Sequence, residues 1–216
     1  MNDLWPLLGQ GTLETLTMVG VAAPVCAIAG LAIGLALAAT APGGVAPSRS
    51  IHQTLAAITN VTRSVPFLIL IVLLLPLTRL LVGTSIGTGA AIVPLILGGI
   101  PYAARLAEAA LLDVEPGLIQ AVVTMGATPR QTMLKAYLPE AWPGLIRAFT
   151  VLTITMINFS AMAGVVGGGG LGDLAIRYGY QRFRIDILIA TVLVLVLLVQ
   201  ALQIGGNALS RRLDRR

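Results

Sequence analysis

Covalent chemistry has few residues to work with in this chain. There is one cysteine, Cys26, and one histidine, His52, so neither an internal disulfide nor a His/Cys metal site can be built. The apolar runs hold no paired carboxylates, histidine cluster or Cys/His pair, which removes the usual catalytic constellations. No GxxxxGK[ST] string is present, and the run Gly167–Gly170 lacks the lysine of a phosphate-binding loop. That run reads as backbone freedom. What remains is recognition and mechanics: a glycine-punctuated segment at 113–140, Ser160 and Met162 inside an apolar run, and the basic group Arg177, Arg182 and Arg184.

The segment at 113–140 reads DVEPGLIQAVVTMGATPRQTMLKAYLPE. Pro116 suits the first position of a short helix after Glu115. That helix runs to Met125 and stops at Gly126, a residue suited to a left-handed C-terminal cap. A second start follows at once, with Thr128 as N-cap, Pro129 as first helical residue and Gln131 as capping-box partner. This second helix is expected to end at Leu138-Pro139. Leu118, Val122 and Met125 recur at helical spacing on the first helix; Met133 and Ala136 do so on the second, with Tyr137 nearby. Two helices this short need a surface to dock on. The residues leave two surfaces open: the protein's own helix ends, or a groove on a soluble partner.

The elements that must position these residues are membrane helices. Apolar types make up 56% of the 216 residues and charged types 11%, against roughly 25% charged in a soluble domain. A soluble enzyme is excluded on that ground. The net charge of +5 falls between apolar runs and in the tail Arg211, Arg212, Arg215 and Arg216, the pattern of a membrane anchor rather than of nucleic-acid binding. Uncharged runs at 15–48, 80–104, 148–172 and 187–210 each exceed the ~20 residues that a span needs. A fifth, shorter run contains PFLILIVLLLPL. The fold class is therefore all-α and integral to the membrane. Five transmembrane helices are expected at about 15–40, 57–79, 89–112, 141–164 and 186–209, within one transmembrane domain over 15–209. Residues 1–14 read as an N-terminal interfacial or periplasmic segment, without the basic start of a cleavable signal, and 210–216 as a basic cytoplasmic tail. Pro24, Pro66, Pro76 and Pro94 read as tolerated kinks inside spans. Gly30 and Gly34 form a small-xxx-small pair suited to close helix packing or to a specific dimer contact.

Five spans put the ends on opposite sides. With the C-terminus inside, Arg49, Arg63, Arg105, Arg130, Lys135, Arg147 and four tail arginines are inner, ten against the four outer ones, Arg79, Arg177, Arg182 and Arg184. The N-terminus is accordingly expected outside and the C-terminus in the cytoplasm. Span centres carry almost no fixed charge, which argues against an ion-coupled carrier. Glu108, near the inner end of the third span, reads as an interface or helix-end charge.

With the segment 113–140 on the inner side, its spacing resembles the EAA loop of ABC-importer permeases: Glu-Ala-Ala, three residues, Gly, nine residues, Ile, one residue, Leu-Pro. Anchored on Gly126 and Leu138-Pro139, the acidic position falls on Gln120, followed by Ala121 and Val122. Three positions depart: Gln120 for Glu, Val122 for Ala and Ala136 for Ile. Gln120 offers no carboxylate for a charge pair. The string Glu108-Ala109-Ala110 is a decoy, because its glycine would fall on Val114. The stretch NFSAMAGVVGGGGLGDLAIRYGYQRF at 158–183 and RSVPF at 63–67 resemble the corresponding parts of methionine ABC-importer permeases.

The resemblance implies a methionine importer's membrane subunit in a bacterial inner membrane, working by alternating access. It implies a second copy of the chain, two ABC ATPase subunits holding ATP and magnesium, and a periplasmic or lipoprotein methionine-binding protein. The chain itself would carry no cofactor and bind no nucleic acid. Gln120, Ala121, Gly126, Ala127, Thr128, Pro129, Leu138 and Pro139 would dock the ATPase. The fourth span would line the path, with Met162 near its outer half as an apolar gate beside Ser160; the residues alone fit plain packing equally. Arg177, Arg182 and Arg184 suit either an acidic rim on the binding protein or lipid headgroups. Two other readings stand beside this one: the same architecture with another amino acid or small peptide as cargo, and a stand-alone channel or carrier.

Overall fold

The computed structural model describes residues 4–213, so Arg215 and Arg216 of the basic tail and the first three residues of the N-terminal segment lie outside it. The described residues are helical, with no strand. In chain order the helices are α1 (Leu4–Thr40), α2 (Arg49–Ser64), α3 (Phe67–Val82), α4 (Thr88–Leu112), α5 (Pro116–Thr124), α6 (Pro129–Thr132), α7 (Leu138–Val165), α8 (Gly170–Leu174) and α9 (Ile185–Leu213). Two π-helical turns, Met133–Tyr137 and Ala175–Tyr180, follow α6 and α8.

Among the described residues, four helices are long and apolar enough to cross a membrane: α1, α4, the continuous run Pro129–Val165, and α9. The pair α2–α3 supplies a fifth if counted as one span, but its halves are bent by 102°. The second span is thus not the single helix, kinked at its prolines, expected over 57–79. Pro66 has no N–H for the ladder and pushes Val65 out of the helical region. The break leaves α3 with 16 residues, about 24 Å of helix. Residues 57–64 belong instead to the amphipathic α2, in which Thr59 is the buried residue.

α1 starts at Leu4, eleven residues before the start expected at about residue 15. Leu8 explains the extension: it is buried with Leu171, Leu174 and Ile187, so the first turns gain a tertiary partner. Pro24 and Pro76 do lie inside α1 and α3.

The chain divides into two compact units. One gathers residues up to Val25, Val65–Gly99 and Thr153–Gln203. Here Phe67 stacks on Phe159 with ring centres 4.0 Å apart, and Gly87 N–H donates to Gly167 O at 2.8 Å. The other gathers Cys26–Ser64, Ile100–Leu152 and residues from Ile204 onward. Its α1–α4 contact runs through small residues on both sides. A β-carbon on Gly30 would meet Ala103 Cβ at 2.4 Å, and one on Gly34 would meet Ala107 Cβ at 2.7 Å. The glycine pair serves close helix packing within this chain. The same unit holds a cluster of Ala38, Ala107, Leu111, Val114, Ile119, Met133, Ala136, Ala141 and Leu145.

Candidate functional site

The segment between α4 and α7 folds as two short helices around a glycine elbow. α5 begins with Pro116 at its first turn and is capped by Met125. Gly126 follows at φ +86°, a left-handed conformation that costs a β-carbon, and its N–H donates to Val123 O at 3.0 Å. The capping box forms as the sequence indicates. Thr128 N–H donates to Gln131 Oε1 at 2.9 Å, and Gln131 N–H to Thr128 Oγ1 at 3.3 Å. Pro129 takes the first helical position.

The second helix does not end at Leu138-Pro139. It passes through the π turn Met133–Tyr137 directly into α7. Leu138 N–H bonds back to Met133 O, five residues earlier. The widened turn accommodates Pro139, which has no N–H to give and would crowd a regular α-turn. The elbow's second arm is therefore the base of a 37-residue helix.

One face of this piece is spent on the chain's own core and another is left open. Ile119, Met133 and Ala136 are buried in the cluster described above, with Val122, Tyr137 and Leu138 packed against it. The buried residue on α5 is Ile119 rather than Leu118. Leu118, Val123, Met125 and Leu134 stay exposed, Met125 by 77%. Gln120, Ala121, Thr128, Pro129 and Pro139 are also exposed, and Ala127 partly so. The two docking surfaces left open by the sequence are compatible, because they use different faces of one element.

Ser160 and Met162 part company. Ser160 is 1% exposed and its hydroxyl donates to Ile157 O at 2.8 Å, while Met162 is 43% exposed. Two residues apart on a helix point to different faces, so a single path-facing surface takes Met162 without Ser160. The three arginines also differ. Arg184 is held in a two-pronged pair by Asp186 at 2.9 and 2.7 Å, and Arg177 pairs with Asp173. Arg182 lies over the Tyr178 ring at 4.6 Å. Arg177 and Arg184 are thus already neutralised locally, which weakens the expected attraction to an acidic rim.

Residues 13–216 match the family of binding-protein-dependent transport system inner membrane components. The chain belongs to this family. Among individual relatives, it is 49% identical over 210 residues to the probable D-methionine transport system permease protein MetI of Vibrio cholerae, covering 97% of this chain and 93% of that one. It is 47% identical over 161 residues to the D-methionine transport system permease protein MetI of Escherichia coli K12, covering 74% of each. A chain of the MetNI methionine ABC transporter, solved in inward-facing conformations, superposes with a TM-score of 0.96 at 43% identity over 100% of both chains. The chain is a multi-pass inner membrane permease subunit.

Two features of this permease subunit escape a reading by motif. Glu14 and Thr15 clamp the glycine-rich turn. Gly170 N–H donates to Glu14 Oε2 at 2.6 Å and Leu171 N–H to Thr15 Oγ1 at 2.9 Å. Gly167, Gly169 and Gly170 have φ of +87°, +80° and +79°; the flexibility read from composition is thus pinned into one shape. Glu108, near the end of α4, is also a buried ion-pair partner. It is 6% exposed and pairs with Arg105 at 2.6 Å, while Arg105 also donates to Asn60 Oδ1 and Ala56 O. The i, i+3 spacing of Arg105 and Glu108 was visible in the sequence; the tertiary partners on α2 were not.

Proposed function

We propose that this chain is the membrane subunit of an ATP-driven importer that moves methionine from an external binding protein into the cytoplasm by alternating access. The observation that carries the reading is the match over the whole chain to a subunit of a methionine ABC transporter, at 43% identity and a TM-score of 0.96. Two copies of the chain enclose one path, two ATPase subunits bind below, and ATP and magnesium belong to those partners. The N-terminus faces outward and the C-terminus the cytoplasm, in keeping with the ten inner and four outer basic residues.

The element that couples hydrolysis to transport is the elbow at Gly126. Its open face, Leu118, Val123, Met125 and Leu134 with the exposed Gln120 and Ala121, enters a cleft on the ATPase. Its other face is bonded into the core, so displacement of the elbow is passed on rather than absorbed. The continuous backbone from Pro129 to Val165 supports this role, because a push at the capped end is delivered along a single helix to Met162. Met162, exposed on α7, closes the path as an apolar plug. The pairing of Arg177 and Arg184 with their own carboxylates favours Arg182 among the three arginines as the contact to the binding protein.

The test is uptake of labelled methionine in a bacterial strain stripped of its own importer and supplied with this permease, its ATPase and its binding protein. Uptake that unlabelled methionine suppresses, and that another amino acid or a dipeptide does not, is the expected result. Uptake of a different solute with none of methionine would contradict the reading.

A further inference from the structure

Helices α7 and α9 flank an open cavity of about 220 Å³, lined by Ile157, Asn158, Ala161, Leu195, Val196, Val199 and Gln200. It lies along two of the helices apolar enough to cross a membrane. Its walls are aliphatic apart from two primary amides, Asn158 and Gln200. Both are exposed in this chain, and among the described residues neither side-chain amide has a hydrogen-bond partner. Gln200 stands near the middle of the 29-residue α9. An amide at that depth is costly unless something pairs with it. Asn158 and Met162 are four residues apart on α7, hence on one face, which places the cavity one turn from the candidate gate.

We propose that this cavity is a resting site for the transported amino acid inside the membrane, with Asn158 and Gln200 holding its charged end and the aliphatic wall its side chain. The proposal rests on the importer reading above and gives that path its binding residues. Each amide offers two N–H donors and one carbonyl acceptor. Together they satisfy a carboxylate and an ammonium without adding net charge, as a zwitterion requires. A fixed carboxylate or arginine would bind one end too well for the solute to leave, whereas neutral dipoles allow entry and release. A lipid chain in the same space would leave both amides unpaired. The aliphatic remainder suits an unbranched apolar side chain such as a thioether.

The experiment measures retention of labelled methionine by the purified permease–ATPase complex in detergent, without binding protein, beside uptake by the same complex with its binding protein in vesicles. Asn158→Leu and Gln200→Leu are expected to weaken retention roughly tenfold or more each, on the scale of hydrogen bonds to charged groups, and to lower uptake. Ala161→Leu, which fills the cavity and keeps both amides, is expected to do the same and guards against a folding defect. Each variant is compared only when it co-purifies with the ATPase. Retention and uptake unchanged in Gln200→Leu and Ala161→Leu would overturn the proposal while leaving the importer reading intact. So would loss of the permease pair with retention per permease unchanged, which would assign the amides to the contact between copies. A wild-type complex that takes up no methionine would instead remove the reading on which the proposal rests.

Discussion

Gly126 has open space around it and little freedom in φ. No atom lies within 4 Å of where its β-carbon would be, yet its φ is +86°. Substitution there costs about 1–2 kcal/mol in backbone strain alone. Gly126→Val is expected to leave the permease in the membrane while sharply lowering co-purification of the ATPase and uptake. Gly126→Asn, which tolerates the left-handed region, is expected to be milder; equal loss in both would point to side-chain bulk instead of backbone strain. The elbow was legible because its signals are local: Thr128, Pro129 and Gln131 lie within four positions and form the box that their types dictate. The clamp of Glu14 and Thr15 was not, since its partners are 156 residues away and a glutamate at a span boundary looks like any other. Replacing both as Glu14→Ala with Thr15→Val is expected to speed amide exchange at Gly170 and Leu171 roughly tenfold to a hundredfold, from the loss of about 1.5–3 kcal/mol per bond to a charged group and somewhat less for the hydroxyl. Unchanged exchange would mean that the turn holds its shape unaided.

At the scale of elements, packing of α1 on α4 depends on what is missing from the side chains. Ala103 Cβ and the Ala103 carbonyl carbon lie 2.4 and 2.8 Å from the β-carbon that Gly30 lacks. Backbone cannot yield as a flexible side chain can. Gly30→Leu is expected to cost about 3 kcal/mol, at the upper end of overpacking, and to appear as a lower melting temperature of the detergent-solubilised permease. Gly20→Leu, where nothing lies within 4 Å, is the control and is expected to leave it nearly unchanged. The helices themselves were legible from uncharged runs, since burying charge in lipid is the dominant cost. Prolines were the weak signal, and they misled in opposite directions. Pro66, inside an apolar run suited to a kinked span, marks a 102° break. Pro139, at a position suited to a helix end, is carried through by the π turn before it. Whether proline breaks or bends a helix depends on how its neighbours rehouse the freed carbonyl, and that is a tertiary matter.

For the whole molecule, the proposed function divides labour: the chain would supply a path and a lever, and a separate subunit the energy. The lever's stiffness is physical: a capped elbow, about ten helical turns from Pro129 to Val165 without a gap, and a buried face that ties the elbow to the core. Sequence periodicity pointed to the lever but put Leu118 where Ile119 packs, because α5 has too few residues for its burial face to be set without the core it meets. The most direct measurement is uptake of labelled methionine into vesicles containing the purified permease, with and without its ATPase, ATP and the binding protein. Uptake is expected only when all are present, and is expected to be lost in Gly126→Val. Methionine entering through the permease alone, faster than through protein-free vesicles, would contradict coupling to a separate motor.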